Sequence, residues 1–255
     1  MIEAVLHIES QSNQKLALEK SMKELLQDLK KRANITEHSF GEVREEDVEG
    51  QVSYSSILEI KVILNFRDFV NLVIFSGPSA IEVLSVDEKL QSSKLLLILG
   101  DLSSVIEKFS KRYGISLKYQ RFKELQEEVG ISEEEMDELL NKGGFLTKLV
   151  VEVEGPDEES LKRATLKLLN SAGGYVSKMN SKRMEGEGWR GLVGSEVVFS
   201  NLEEVFMAVA RFTPVAITIE EPDEITLSMR EVQNIGLDIA MILSDLTTST
   251  IRKRE

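Results

Sequence analysis

The chain has 255 residues, 42% of them apolar and 29% charged, which is enough for two domains that each bury a core. It has no cysteine and only two histidines, His7 and His38. That excludes disulfides, thiolate nucleophiles and cysteine-based zinc sites, and leaves little for an all-protein transition-metal centre. A formal charge of −13 argues against non-specific binding to nucleic acid or anionic membrane over the whole surface, though a local basic patch remains compatible with it.

Met1-Ile2-Glu3-Ala4 lacks the basic region that opens a secretory signal. Uncharged apolar runs such as Leu95–Leu99 fall far short of the ~20 residues needed to span a bilayer. The expectation is a soluble, cytoplasmic protein that does not enter a membrane.

In chain order, Ala4, Leu6 and Ile8 alternate with Glu3, Val5, His7 and Glu9, the pattern of a strand with one buried face. A helix follows, with its stripe on Leu18, Met22, Leu25, Leu26 and Leu29, and His38 then falls in a second strand. After a β-hairpin, Phe66, Phe69, Val70, Val73 and Ile74 sit at helical spacing. Asn65 is a plausible N-cap there, Asp68 stands three residues on, and Pro78 ends the helix before a short strand. A long amphipathic helix comes next. Arg121–Gly144 reads as a helical linker, because Ser132 and Glu135 form a capping box, Ile131 and Met136 fit a hydrophobic staple, and Gly143-Gly144 stops the helix.

The second half repeats the first. Asn65–Glu88 matches Asn201–Glu224 at a constant shift of 136, with identical residues at Asn65, Val73, Pro78, Ala80, Ile81, Asp87 and Glu88. Leu149, Val151 and Val153 alternate as the first strand does, with a shift of 145. The next helix carries Leu161, Ala164, Leu168, Leu169 and Ala172, and Asp101–Ser104 parallels Asp245–Thr248 at 144. Each unit reads strand, helix, strand, strand, helix, strand and a further helix. The expected class is therefore α+β: a tandem duplication of a ferredoxin-like βαββαβ unit, each copy with an extra C-terminal helix. The expected domains are 1–120, a helical linker at 121–145, and 146–255. The segment Gly77-Pro78-Ser79-Ala80-Ile81-Glu82-Val83, with its copy at Thr213–Ile219, resembles an uncharacterised archaeal protein family. The resemblance implies no activity, cofactor or site residue.

No catalytic constellation or metal set is expected, and no cofactor. Gly186-Glu187-Gly188-Trp189-Arg190-Gly191 matches the dinucleotide-binding string, but a strand rather than a helix follows it, so the glycines read as a hairpin turn. Leu125–Leu140 spaces like a helix-turn-helix, yet its second helix carries Glu133, Glu134, Glu135, Asp137 and Glu138, which phosphates would repel. Neither histidine has a nucleophile at a recognisable spacing.

Two segments stand out. Lys108–Lys123 carries Lys108, Lys111, Arg112, Lys118, Arg121 and Lys123 without an acid, interleaved with Phe109, Tyr113, Tyr119 and Phe122. This is a local +6 that leaves −19 on the rest of the chain. Cations and rings in this arrangement suit phosphates and unpaired bases, although cations also gather at helix C-termini for the dipole alone. The second segment is the later hairpin, with Tyr175, Lys178, Lys182, Arg183, Trp189 and Arg190. The leading functional expectation is a non-catalytic binding or scaffolding protein with a protein partner or self-association. The alternatives are an RNA or single-strand binder acting through 108–123, and an enzyme with a carboxylate site between the repeats.

Overall fold

The structure, a computed structural model, describes residues 1–48, 51–113, 131–184 and 189–251. The chain forms two compact units. The first joins Met1–Lys89 to Thr226–Ser249, and the second is built around Leu90–Ile225.

In the first unit, β1 (Ile2–Ser12), β2 (Ile35–Phe40), β3 (Arg44–Val48), β4 (Gln51–Leu64) and β5 (Ala80–Val86) make one sheet in the order β2-β4-β1-β5, with β3 alongside β4. All its ladders are antiparallel. Helices α1 (Lys15–Arg32) and α2 (Phe66–Ser76) cover one face. The strand alternation decides which face. Ile2, Ala4, Leu6 and Ile8 of β1 and Leu58, Ile60, Val62 and Leu64 of β4 are buried. They meet Leu18, Met22, Leu26 and Leu29 of α1 and Phe66, Phe69, Val70 and Val73 of α2 in the core. Leu25 of the expected stripe is only half-buried. A fully buried side chain of this kind contributes about 1.5–3 kcal/mol.

The second unit repeats this layout. Strands β7 (Phe145–Gly155), β8 (Tyr175–Arg183), β9 (Trp189–Phe199) and β10 (Ala216–Glu221) form an antiparallel sheet in the order β10-β7-β9-β8. Helices α5 (Glu158–Ser171) and α6 (Leu202–Phe212) pack on it, and α4 (Glu133–Asn141) lies against β9. On α5 the buried side chains are Leu161, Thr165, Leu166 and Leu169, whereas Ala164 and Leu168 are half-buried. The expected stripe is thus turned, and Thr165 is accommodated because its hydroxyl donates to the Leu161 carbonyl at 2.8 Å.

The two long helices belong to units that chain order does not suggest. α3 (Ser92–Tyr113) follows the first sheet but packs on α6 and β10 of the second unit. α7 (Met229–Ile251) follows the second sheet but packs in the first unit, where Gly236 lies against Ile81 and Phe69, and Gln233 Oε1 accepts from the Val83 amide at 3.1 Å. Short strands β6 (Lys89–Gln91) and β11 (Glu224–Thr226), which pair with each other, carry the chain across. In the first unit Leu227 N donates to Glu88 O at 3.4 Å, and in the second Ser92 N donates to Asp223 O at 2.9 Å. The helices start at Ser92 and Met229, a shift of 137, so the Asp101–Asp245 match at 144 is displaced by two turns and keeps the same face.

Candidate functional site

Each sheet has one face under its helices and one largely open face, the second sheet's being closed where Val198 is buried, and the pairing registers put the two open faces into correspondence. Ile2 pairs with Leu64 and Phe145 with Phe199, so the first strands match at a shift of 143 and the third strands at 135. Ala80 pairs with His7 and Ala216 with Val150, giving 136 for the fourth strands. The residue matching His7 is therefore Val150, and the 145 shift read from hydrophobic alternation, which paired His7 with Glu152, is corrected by two residues. A period-two pattern fits both alignments equally.

The irregularities coincide as well. One β-bulge leaves Leu84 unpaired beside Glu3 and Ala4; the other leaves Glu220 unpaired beside Leu146 and Thr147. A second pair of bulges falls at Thr36 and Ser177. At these, Thr36 Oγ1 donates to the Lys61 carbonyl at 3.2 Å, and Ser177 Oγ donates to the Glu196 carbonyl at 3.3 Å. The helix ends agree too. Asn65 Oδ1 accepts from Asp68 N and Asn201 Oδ1 from Glu204 N, at 2.9 and 3.0 Å. Both helices close on a left-handed residue, Gly77 and Thr213.

What differs is charge. Lys61 holds Glu3 at 2.9 Å and reaches Glu37 at 3.6 Å across the Thr36 bulge. At the matching positions of the second sheet the signs exchange, and Lys178 holds Glu196 at 3.1 Å. The second open face continues this row, because Lys148 lies between Glu196 and Glu220 and reaches the latter at 3.3 Å. The Ser177 hydroxyl, with Lys178 and Lys148, holds the Glu196 carboxyl below the usual range. On the first face, the hydrogen bond and charge of Lys61 lower Glu3, and the same contacts raise Lys61. His7 Nδ1 stands 3.6 Å from Glu59.

Four residues of the second sequence patch, Tyr175, Lys178, Lys182 and Arg190, fall on this open face and its edge. Tyr175 is exposed, Lys178 and Lys182 stand opposite Glu196 and Leu192, and Arg190 Nε donates to Glu152 at 2.7 Å. Arg183 ends β8, and Trp189 opens β9. In the first patch, Lys108 lies in α3 and Lys111 is ion-paired with Glu107 one turn earlier. Arg112 and Tyr113 close α3, while Lys118, Tyr119, Arg121 and Lys123 lie outside the described residues, as do Gly186 to Gly188. The Ser132–Glu135 capping box is present.

Among the described residues, no three His, Asp or Glu side chains are grouped to hold a metal ion. Glu204 is the described carboxyl whose pKa is raised, because burial outweighs its hydrogen bonds from the Ser200 and Asn201 region. It caps α6, accepting from Ser200 N at 2.7 Å. Among the described residues, no helix is long and apolar enough to cross a membrane.

The molecule is thus an α+β protein of two sheet-and-helix units with chemically distinct open faces. The model of the MJ0538 family matches residues 3–253, and the chain belongs to that family. It is 26% identical to "Uncharacterized protein MJ0538" of Methanocaldococcus jannaschii, an archaeon, over 96% of this chain and 97% of the other. A solved structure described as an unknown protein from Galdieria sulphuraria covers 88% of this chain and 99% of its own, with 14% identity and a TM-score of 0.22. At that score the likeness says nothing about fold.

Proposed function

We propose that the protein is a non-catalytic binding or scaffolding protein of the cytoplasm, built as a tandem duplication of a ferredoxin-like βαββαβ unit with one further helix per copy. The observation that carries it is the contrast between what the two sheets share and what they do not. Strand order, registers, two bulges and both helix caps agree, while the exposed ion pair beside one bulge has exchanged its signs. Buried registers are held by folding, whereas exposed charges set partner choice. The surface we assign to a partner is the open face and β8 edge of the second sheet, with Tyr175, Lys178, Lys182 and Arg190, together with Arg183 at the end of β8 and Trp189 at the start of β9. Purification of the tagged chain from its native cells tests this. A stoichiometric protein partner that Lys148→Glu/Lys182→Glu releases is expected, with no turnover in a broad hydrolase, transferase and oxidoreductase panel. Robust turnover would overturn the reading and favour a carboxylate enzyme.

A second reading is RNA binding through Lys108–Lys123, favoured by six cations without an acid in an acidic chain. Fluorescence anisotropy with single-stranded RNA across a salt series tests it. Binding that Arg112→Glu/Lys118→Glu/Arg121→Glu abolishes supports this reading, and no binding at low salt removes it.

A further inference from the structure

A sheet edge presents unpaired N–H and C=O groups that invite another strand. In each unit a long helix attends one of the two edges. Gln233 of α7 takes the Val83 amide on β5, and α3 packs along β10. The other edges are β2 with β3 in the first unit and β8 in the second, and no described strand pairs with their outer sides.

These two edges carry opposite charge. Along the first, Glu37, Glu42, Glu45 and Glu46 are exposed, with Arg44 and His38 as the basic groups among them. The second, Tyr175–Arg183, has Lys178, Lys182 and Arg183 and no acid. With the bulges aligned, the shift is 141, and Glu37 of β2 matches Lys178 of β8; continued past the end of β2, the same shift sets Glu42 against Arg183 and Gly41 against Lys182. Glu37 is 75% exposed, and its cation Lys61 lies nearer Glu3; Lys178 is 80% exposed. Two copies of the first edge repel each other, and so do two copies of the second. One of each attracts.

We infer that the β2–β3 edge of one copy adds to the β8 edge of a second copy of this chain, which deepens, and rests on, the binding reading above. An antiparallel register that keeps both open faces on one side sets Glu37 opposite Lys182 and Ser39 opposite Asn180. Each copy offers one edge of each sign, so the contact is heterologous, and assembly grows with concentration unless it closes into a ring.

Sedimentation velocity of the full chain, over a concentration series at low salt, tests this, with circular dichroism confirming that each variant is folded. Wild type self-associates and dissociates as salt rises. Glu37→Lys/Glu42→Lys and Lys178→Glu/Lys182→Glu each weaken association by about tenfold or more. The fourfold variant, with signs exchanged on both edges, recovers most of the loss, which a merely structural effect would not do. Wild type that stays monomeric throughout, or a fourfold variant no better than either double, overturns the inference. A monomer that still captures a different protein leaves the binding reading intact. RNA binding lost in Lys178→Glu/Lys182→Glu, without self-association, would assign the β8 edge to nucleic acid and also overturn the inference.

Discussion

Replacing Gly236 by valine asks which unit α7 stabilises. At Gly236 the helix lies directly against Ile81 of β5 and Phe69 of α2. A Cβ there would stand 2.7 Å from Ile81 Cδ1 and 3.0 Å from Phe69 Cζ. Phe69 is fully buried and Ile81 nearly so, which leaves little room for either to withdraw. Alanine gains about 1 kcal/mol of helix propensity over glycine, which offsets much of a few tenths of an ångström of adjustment. Valine adds two more methyl groups and a stiff χ1, and overpacking of that size costs about 1–3 kcal/mol. Amide hydrogen exchange reads the result element by element. In Gly236→Val, exchange from the opened state of α2 and β5 is expected to rise roughly 5- to 140-fold, while β7, β9 and α6 change less. Protection lost first in β7, β9 and α6 would mean that α7 supports the unit it follows in the chain, and the packing argument would fail.

Three further outcomes follow from single positions. Asn65→Ala and Asn201→Ala each remove a side chain that accepts a first-turn amide, and each should lower the urea midpoint by the equivalent of about 1 kcal/mol. Thr213 is a β-branched residue at φ 42°, where its counterpart is Gly77. Thr213→Gly should raise stability by about 1 kcal/mol, and Gly77→Ala should lower it by a similar ~1 kcal/mol, in thermal melts. Glu204 has its folded pKa raised above 4.5 by burial, so its ionisation opposes folding. The stability it lends is complete below the unfolded pKa and is lost as pH rises through the folded one. Glu204→Gln should therefore gain on wild type between pH 4 and 7 in urea titrations; a difference flat with pH would show that burial does not penalise the carboxylate.

Much of the unit-level architecture was legible because it rests on local chemistry. Asn65, Asn201 and Ser132 cap their helices with the side chains their positions suggest, and Pro78 and Pro214 follow each helix end. The first strand's alternation named its buried face correctly. Three features were hidden for physical reasons. Alternation repeats every two residues, so it could not separate a shift of 143 from one of 145. Bulges leave no hydrophobic mark, and both the Thr36 and Ser177 bulges are visible only in the ladders. The destinations of α3 and α7 were hidden most thoroughly. Leu95, Ile98, Leu102 and Ile106 declare that one face of α3 is buried, as Val232, Ile235 and Ile239 do for α7. A stripe says that something covers it, and the two sheets offer nearly interchangeable covers. The charge inversion at Glu37 and Lys178 could be read only once the bulges had aligned those two positions.

The bulges also bear on how the two sheets came to match. Four antiparallel strands with helices on one face arise from burial alone, so shared strand order is weak support for a common origin. A bulge is different, because no hydrophobic requirement fixes which residue is left unpaired. Here two bulges recur at equivalent residues, and at one of them a hydroxyl bonds the same opposite carbonyl, Thr36 to Lys61 and Ser177 to Glu196. Those opposite residues carry contrary charges, so the same hydrogen bond forms in opposite local fields. The hydroxyl bonds the backbone and is indifferent to the side chain beyond it, whereas the ion pair across the bulge requires both partners to change together. A lysine appearing alone at position 61, or a glutamate alone at 196, would have met a like charge at 37 or 178. The two sites thus keep the bulge and its backbone hydrogen bond and differ in the exposed ion pair as a whole, a combination that supports the tandem duplication proposed above.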